Sequence, residues 1–196
     1  MRRLEDELAD GQRVEPFRPS GYYTAYYATA GFFLGMVGAL ISLLFNVIGS
    51  LIFKQDALQL IRVYLTFPLG DQALNFTAEE NGLVLAIGCC LYIATGMLLG
   101  VPFFVILTRY TQNATFAKRF LLGTILSLVL WVVNFYLILL WLQPVLIDMD
   151  PDNLIVRQVP PWVAALTHLV YGWTMVLLYP LGEFVPYQRL TEQTAE

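Results

Sequence analysis

The stretch GLVLAIGCCLYIATGMLLGVPFFVILT, residues 82–108, contains no Asp, Glu, Lys or Arg, and its reading decides the fold class. About 20 predominantly apolar helical residues cross the roughly 30 Å hydrocarbon core of a bilayer. This run is longer than that, and a soluble core helix has no need of such a length. Segments 22–53, 120–147 and 159–182 are equally free of charge. Backbone in hydrocarbon has to satisfy its own hydrogen bonds, which leaves only helices or a closed barrel. Barrel strands would be shorter and would alternate apolar with polar residues. The expected fold is an all-α integral membrane protein, with four transmembrane helices in an up-down bundle at 22–53, 82–108, 120–147 and 159–182.

The whole chain agrees. Of its 196 residues 58% are hydrophobic and 13% charged, with mean hydropathy +0.63, whereas a soluble domain carries about a quarter charged residues. The first segment is too long for a signal-peptide core and no small-residue cleavage site ends it, so it is expected to stay in the mature protein. Orientation follows from Lys and Arg. Arg2, Arg3, Arg13, Arg18, Arg109, Lys118, Arg119 and Arg189 fall on one side, and only Lys54, Arg62 and Arg157 on the other. The positive-inside rule then makes both termini cytoplasmic, the arm 1–21 and the tail 183–196 included. On the outer face Asp56, Asp71, Glu79, Glu80, Asp148, Asp150 and Asp152 outnumber the cations and make that surface anionic. Trp162 and Tyr22 with Tyr23 sit where interfacial aromatic residues belong. The arm's charges nearly cancel, which excludes nucleic acid as a partner.

The first outer loop, 54–81, is long for a bare link. Gln55, Gln59, Arg62 and Thr66 recur at helical spacing on one side, with Leu58, Ile61 and Leu65 opposite. That pattern predicts a helix over 55–67 lying in the membrane interface, ended by Pro68 and Gly70. The competing reading runs the first spanning helix straight on as a tilted rod, since no Gly or Pro separates the two. A weak internal repeat also runs through the chain. Gly35 precedes Asn46 by eleven residues in the first span, with Ser42 between, as Gly123 precedes Asn134 by eleven in the third, with Ser127 between; Met97 likewise precedes Pro102 by five, as Met175 precedes Pro180. Duplication of a helical hairpin and chance similarity among Leu-rich helices both account for it.

Gly31 and Gly35, Gly38 and Ser42, and Gly96 and Gly100 are four apart. Small residues at that spacing let helix backbones approach closely where lipid supplies no hydrophobic drive, so these are expected packing positions. Asn46 and Asn134 are expected to add interhelical hydrogen bonds, the two amides serving as mutual glue rather than as ligand contacts.

His168 is the only histidine. Its expected role is a hydrogen-bonded packing residue; the sharper alternative is contact with a quinone or a haem, because intramembrane ionisable groups are often functional. Haem held by two histidines needs a second chain, and a zinc site lacks its other ligands. No cofactor is expected in the isolated chain, and no metal. Cys89 and Cys90 are adjacent and point about 100° apart on a helix, which suits packing better than a redox couple. Asp148, Asp150 and Asp152 lack the glycine and terminal Glu of an EF-hand loop and read as an acidic turn. Of the sequons at Asn75 and Asn113, only the first faces outward.

The spans offer one histidine and no charge, which argues against autonomous ion transport. Nucleotide loops, metallopeptidase motifs and activated serines are missing too, so no catalytic residue is expected. LIRVYLTFP at 60–68 followed by CLYIATGMLLG at 90–100 resembles uncharacterised four-span bacterial membrane proteins associated with aerobic respiratory oxidases. The likeness covers about a quarter of the chain. It implies a bacterial inner-membrane location and a non-catalytic accessory subunit of a respiratory, cytochrome oxidase-like complex, with the bilayer and other membrane subunits as partners. Two further function classes follow from the residues. One is a small transporter or channel, a homo-oligomer with a pore lined by Asn46, Asn134, Ser42 and Ser127. The other is a redox protein using His168 toward a quinone or haem.

Overall fold

The computed structural model describes residues 20–112, 114–148 and 150–184, and every regular element among them is helical. The terminal arms carrying Arg2, Arg3, Arg13, Arg18 and Arg189, and the Asn113 sequon, lie outside the described residues.

Helix α1, Ser20–Ile52, stops on backbone geometry. Lys54 takes φ 56°, Lys54 N–H donates to the Leu51 carbonyl and Gln55 N–H to that of Ser50. This is the paired bonding of a Schellman cap, with lysine in the left-handed position that glycine usually holds. The tilted-rod reading is therefore set aside.

Helix α2, Gln59–Leu69, begins where Asp56 Oδ1 accepts from Leu58 N–H at 2.8 Å and Oδ2 pairs with Arg62 at 3.0 Å. Those two contacts, Leu58 first, hold the Asp56 carboxyl below the usual carboxylate range. The predicted boundaries need correction at both ends. Pro68 lies inside the helix, and Gly70, at φ 72°, ends it. The predicted polar side is also divided. Thr66 is buried beside Ile61, Val63 and Leu65, while Arg62 folds back on Asp56. The helix rests on its neighbours, with Ile61 and Leu65 packed against Ala73 and Leu85.

After a 3₁₀ turn, Asp71–Asn75, helix α3 runs Ala78–Thr111. Thr77 Oγ1 caps it by accepting from Glu80 N–H, Glu79 and Glu80 sit in the first turn and Arg109 in the last. Each charge opposes the sign of the helix dipole at its end. Asn81, at φ −120° and ψ 21°, sets the capped first turn off from the rest, so the long run begins at the predicted residue 82 and continues three residues past 108, to Thr111.

Helix α4, Phe116–Leu146, is α-helical to Val132, π-helical over Val133–Leu142 and closes with Gln143–Leu146. Gln143 N–H donates to the Ile138 carbonyl, five residues back. In the wider π turn the chain arrives at Pro144, whose ring in a continuous α-helix would strike the carbonyl four residues before it. One-turn helix α5, Ile155–Gln158, precedes α6, Pro161–Leu177, and α7, Tyr179–Gly182.

The first three long helices, Tyr23–Ile52, Ala78–Thr111 and Phe116–Leu146, are each long and apolar enough to cross a membrane. The fourth predicted segment is a 17-residue helix, then a break at Leu178 and a single turn. Packing runs around the bundle: α1 lies against both α3 and α6, and α4 against α6. Leu34, Phe103, Phe104, Leu107, Met175 and Tyr179 fill its core.

Candidate functional site

The glycines fix how close the helices come. A Cβ on Gly31 or Gly35 would meet the backbone of Gly100 or Gly96, and a Cβ on Gly96 or Gly100 would meet Ala39 or the backbone of Gly31 and Gly35. The four therefore face one another across the α1–α3 crossing, at a distance only glycine permits. Gly38 lies against the Tyr171 ring, 3.0 Å from where its Cβ would stand. The sequence reading passed over a second such crossing, between α4 and α6. There Gly123 faces Val176 and Gly172 faces Ser127.

The asparagines do not pair with each other; each reaches α6. Asn46 Nδ2 donates to the Ser42 carbonyl at 2.8 Å and to Thr167 Oγ1 at 3.1 Å. Asn134 Nδ2 lies 3.2 Å from His168 Nε2, and His168 Nδ1 lies 2.8 Å from the Ala164 carbonyl. A carbonyl only accepts, so Nδ1 carries the ring proton and Nε2 accepts from the Asn134 amide. The two members of the sequence repeat thus bond successive residues, Thr167 and His168. Ser42, Asn46 and Ser127 are buried within the chain's own bundle, so a pore between copies would not be lined by them in this conformation. Among the described residues no group of His, Cys, Asp and Glu could hold a metal ion.

Contact between α3 and the π stretch of α4 is slight, and the space left there is a half-open cavity of about 350 Å³. Leu60, Tyr64 and Phe67 of α2 line it at the long-loop end, together with Ile155 and Val159. Its walls are chiefly apolar, with Ser42, Tyr64, Tyr92, Thr95, Asn134 and Tyr171 as the polar groups beside Thr167 and His168. Tyr64 and Tyr92 meet edge-to-face at 5.7 Å.

Gln143 fastens this roof. Its side chain is fully buried, Nε2 donates to Thr66 Oγ1 at 3.2 Å, and Oε1 accepts from Ile155 N–H at 3.2 Å. One amide thereby holds α2 and α5 over the cavity. Sequence reasoning missed Gln143 because it lies nine residues beyond Asn134, about two and a half α-helical turns and so on the opposite face. In the wider π turn the same nine residues make about two turns, and both side chains point inward. The signal that could have found it is a lone amide followed by Pro144 at the end of an apolar run.

Comparison with family models, with curated proteins and with solved structures gives no match to this chain. The class that fold and composition define is a helical membrane protein.

Proposed function

We propose that this chain is a non-catalytic accessory subunit of a larger respiratory, cytochrome oxidase-like complex in a bacterial inner membrane. In this reading it crosses the bilayer four times with both termini cytoplasmic, α6 and α7 together forming the fourth span. The observation that carries the reading is the uneven covering of the long helices. In their most apolar windows 39% of the first, 28% of the second and 11% of the third is buried inside the chain. The third helix is the least covered of the three, and Tyr136 and Trp141 on its outward side are exposed. Aromatic residues of this kind are enriched at protein interfaces. The resemblance of residues 60–68 and 90–100 supplies the class of partner. Trp162, exposed at the start of α6, supports that end as a membrane–water boundary.

The test is purification from native membranes in mild detergent through a C-terminal tag, followed by mass spectrometry. Stoichiometric recovery of oxidase subunits, lost on replacing Tyr136 and Trp141 by Leu, is the expected result. Recovery of the chain alone, together with conductance in liposomes, would replace the subunit with the channel.

A further inference from the structure

We infer that the cavity between α3 and the π stretch of α4 binds an apolar ligand carrying a hydroxyl head, and discriminates against the same body carrying a carbonyl head. This rests on the cavity's own hydrogen-bond ledger and is independent of the accessory-subunit reading.

Size comes first. Ligand sites occupy about 300–1,000 Å³, and a dry apolar cavity of about 150 Å³ already takes up benzene. At about 350 Å³ this one has room for a substituted ring or the folded start of a chain.

Chemistry then selects the head. Tyr171 donates its hydroxyl proton to the Gly96 carbonyl at 2.7 Å. Tyr64 and Thr95 lie 2.6 Å apart, and both reach the Leu91 carbonyl, Thr95 at 2.9 Å and Tyr64 at 3.5 Å, so both protons stay on the protein whichever of the two donates to the other. Ser42 and Tyr92 lie 2.9 Å apart, and the arrangement that uses both protons has Ser42 donating to the Thr167 carbonyl at 3.3 Å and Tyr92 to Ser42. Each hydroxyl proton is committed to the protein, while each phenol oxygen keeps a lone pair. Asn134 adds a carbonyl oxygen and one amide proton beyond the one given to His168. The walls therefore offer four acceptor oxygens and a single donor. A hydroxyl can give its proton to a phenol oxygen and accept from Asn134. A carbonyl can use the amide proton alone, so it makes one hydrogen bond where a hydroxyl makes two.

Two sources share this chemistry, an aromatic quinol or phenol and a long-chain alcohol. The purified full-length chain in detergent is titrated anaerobically with trimethylhydroquinone and with trimethylbenzoquinone, which differ in head group and share their carbon skeleton, with thermal stabilisation as the readout. Ile138→Trp, which fills the cavity, corrects for partition into micelles. The hydroquinone should bind about tenfold tighter than the quinone, a difference of about 1.4 kcal/mol. Tyr64→Phe should cut that preference severalfold, which keeps the test sound if Ile138→Trp fails to fold. Farnesol displacing the hydroquinone at equal concentration would identify an alcohol-headed lipid, and its failure to do so an aromatic ligand. Quinone binding as tight as hydroquinone, or stabilisation equal in the parent and Ile138→Trp, overturns the inference.

Discussion

The Gln143 side-chain amide donates to the Thr66 hydroxyl oxygen across 3.2 Å, joining two residues 77 positions apart. Thr66 in turn donates to the Val63 carbonyl at 2.7 Å, so its oxygen is free to accept. Replacing Gln143 by Leu leaves Ile155 N–H without its partner in a buried place. The expected loss is about 1–3 kcal/mol, concentrated at the long-loop end. Thermal unfolding in detergent measures the loss, and limited proteolysis at Lys54 should accelerate while cleavage after Lys118 does not. Equal protection at both sites would remove Gln143 from its role as fastener.

The glycines divide by what stands in front of them. A Cβ at Gly100 would strike the Gly31 carbonyl oxygen, a backbone atom that cannot rotate away, whereas Gly49 has nothing within 4 Å. Gly100→Ala should therefore lower stability and Gly49→Ala raise it, by up to about 1 kcal/mol from helix propensity. Gly96→Leu should disrupt the α1–α3 crossing altogether. Detergent melting curves give the signs, and destabilisation by both alanines would show that propensity and clash do not decide these positions.

His168 and Asn134 form one polar contact within the bundle. His168→Gln keeps polarity and approximate size, and its cost should stay near the roughly 1 kcal/mol of an intramembrane hydrogen bond. A double-mutant cycle with Asn134→Leu should return a coupling of the same order. A fully assembled His168→Gln protein lacking a cofactor signal or an activity present in the parent would make the imidazole chemical instead of structural.

Membrane orientation is open to direct labelling. In a Cys89, Cys90 double-alanine background, single cysteines placed at Asp150 or Asp152 should react with an impermeant maleimide from outside. A cysteine at Ala114 should react only after permeabilisation. The reverse pattern would invert the assignment made from the Lys and Arg distribution.

The long helices were legible because their signal is local. A charge-free run longer than a bilayer needs no tertiary information, and the small-residue spacing on α1 and α3 follows from one helical period. Their ends were less legible, since capping by Thr77 and the left-handed turn at Lys54 extend or stop a helix without changing hydropathy.

The candidate site was legible only in fragments. His168, Asn46 and Asn134 stand out as polar residues in apolar runs, yet their partners are set by which faces meet. Extrapolating α-helical phase through α4 puts Gln143 opposite Asn134, while the π stretch brings both inward. Sequence by itself thus determined the helical, membrane-compatible class and the glycines of one crossing, because those depend on composition and on a fixed local period. Only the tertiary structure decided the asparagines' partners, the burial of Thr66 and the cavity. Each of these depends on helix phase and separation, which a change of register over ten residues of α4 resets without altering the apolar pattern.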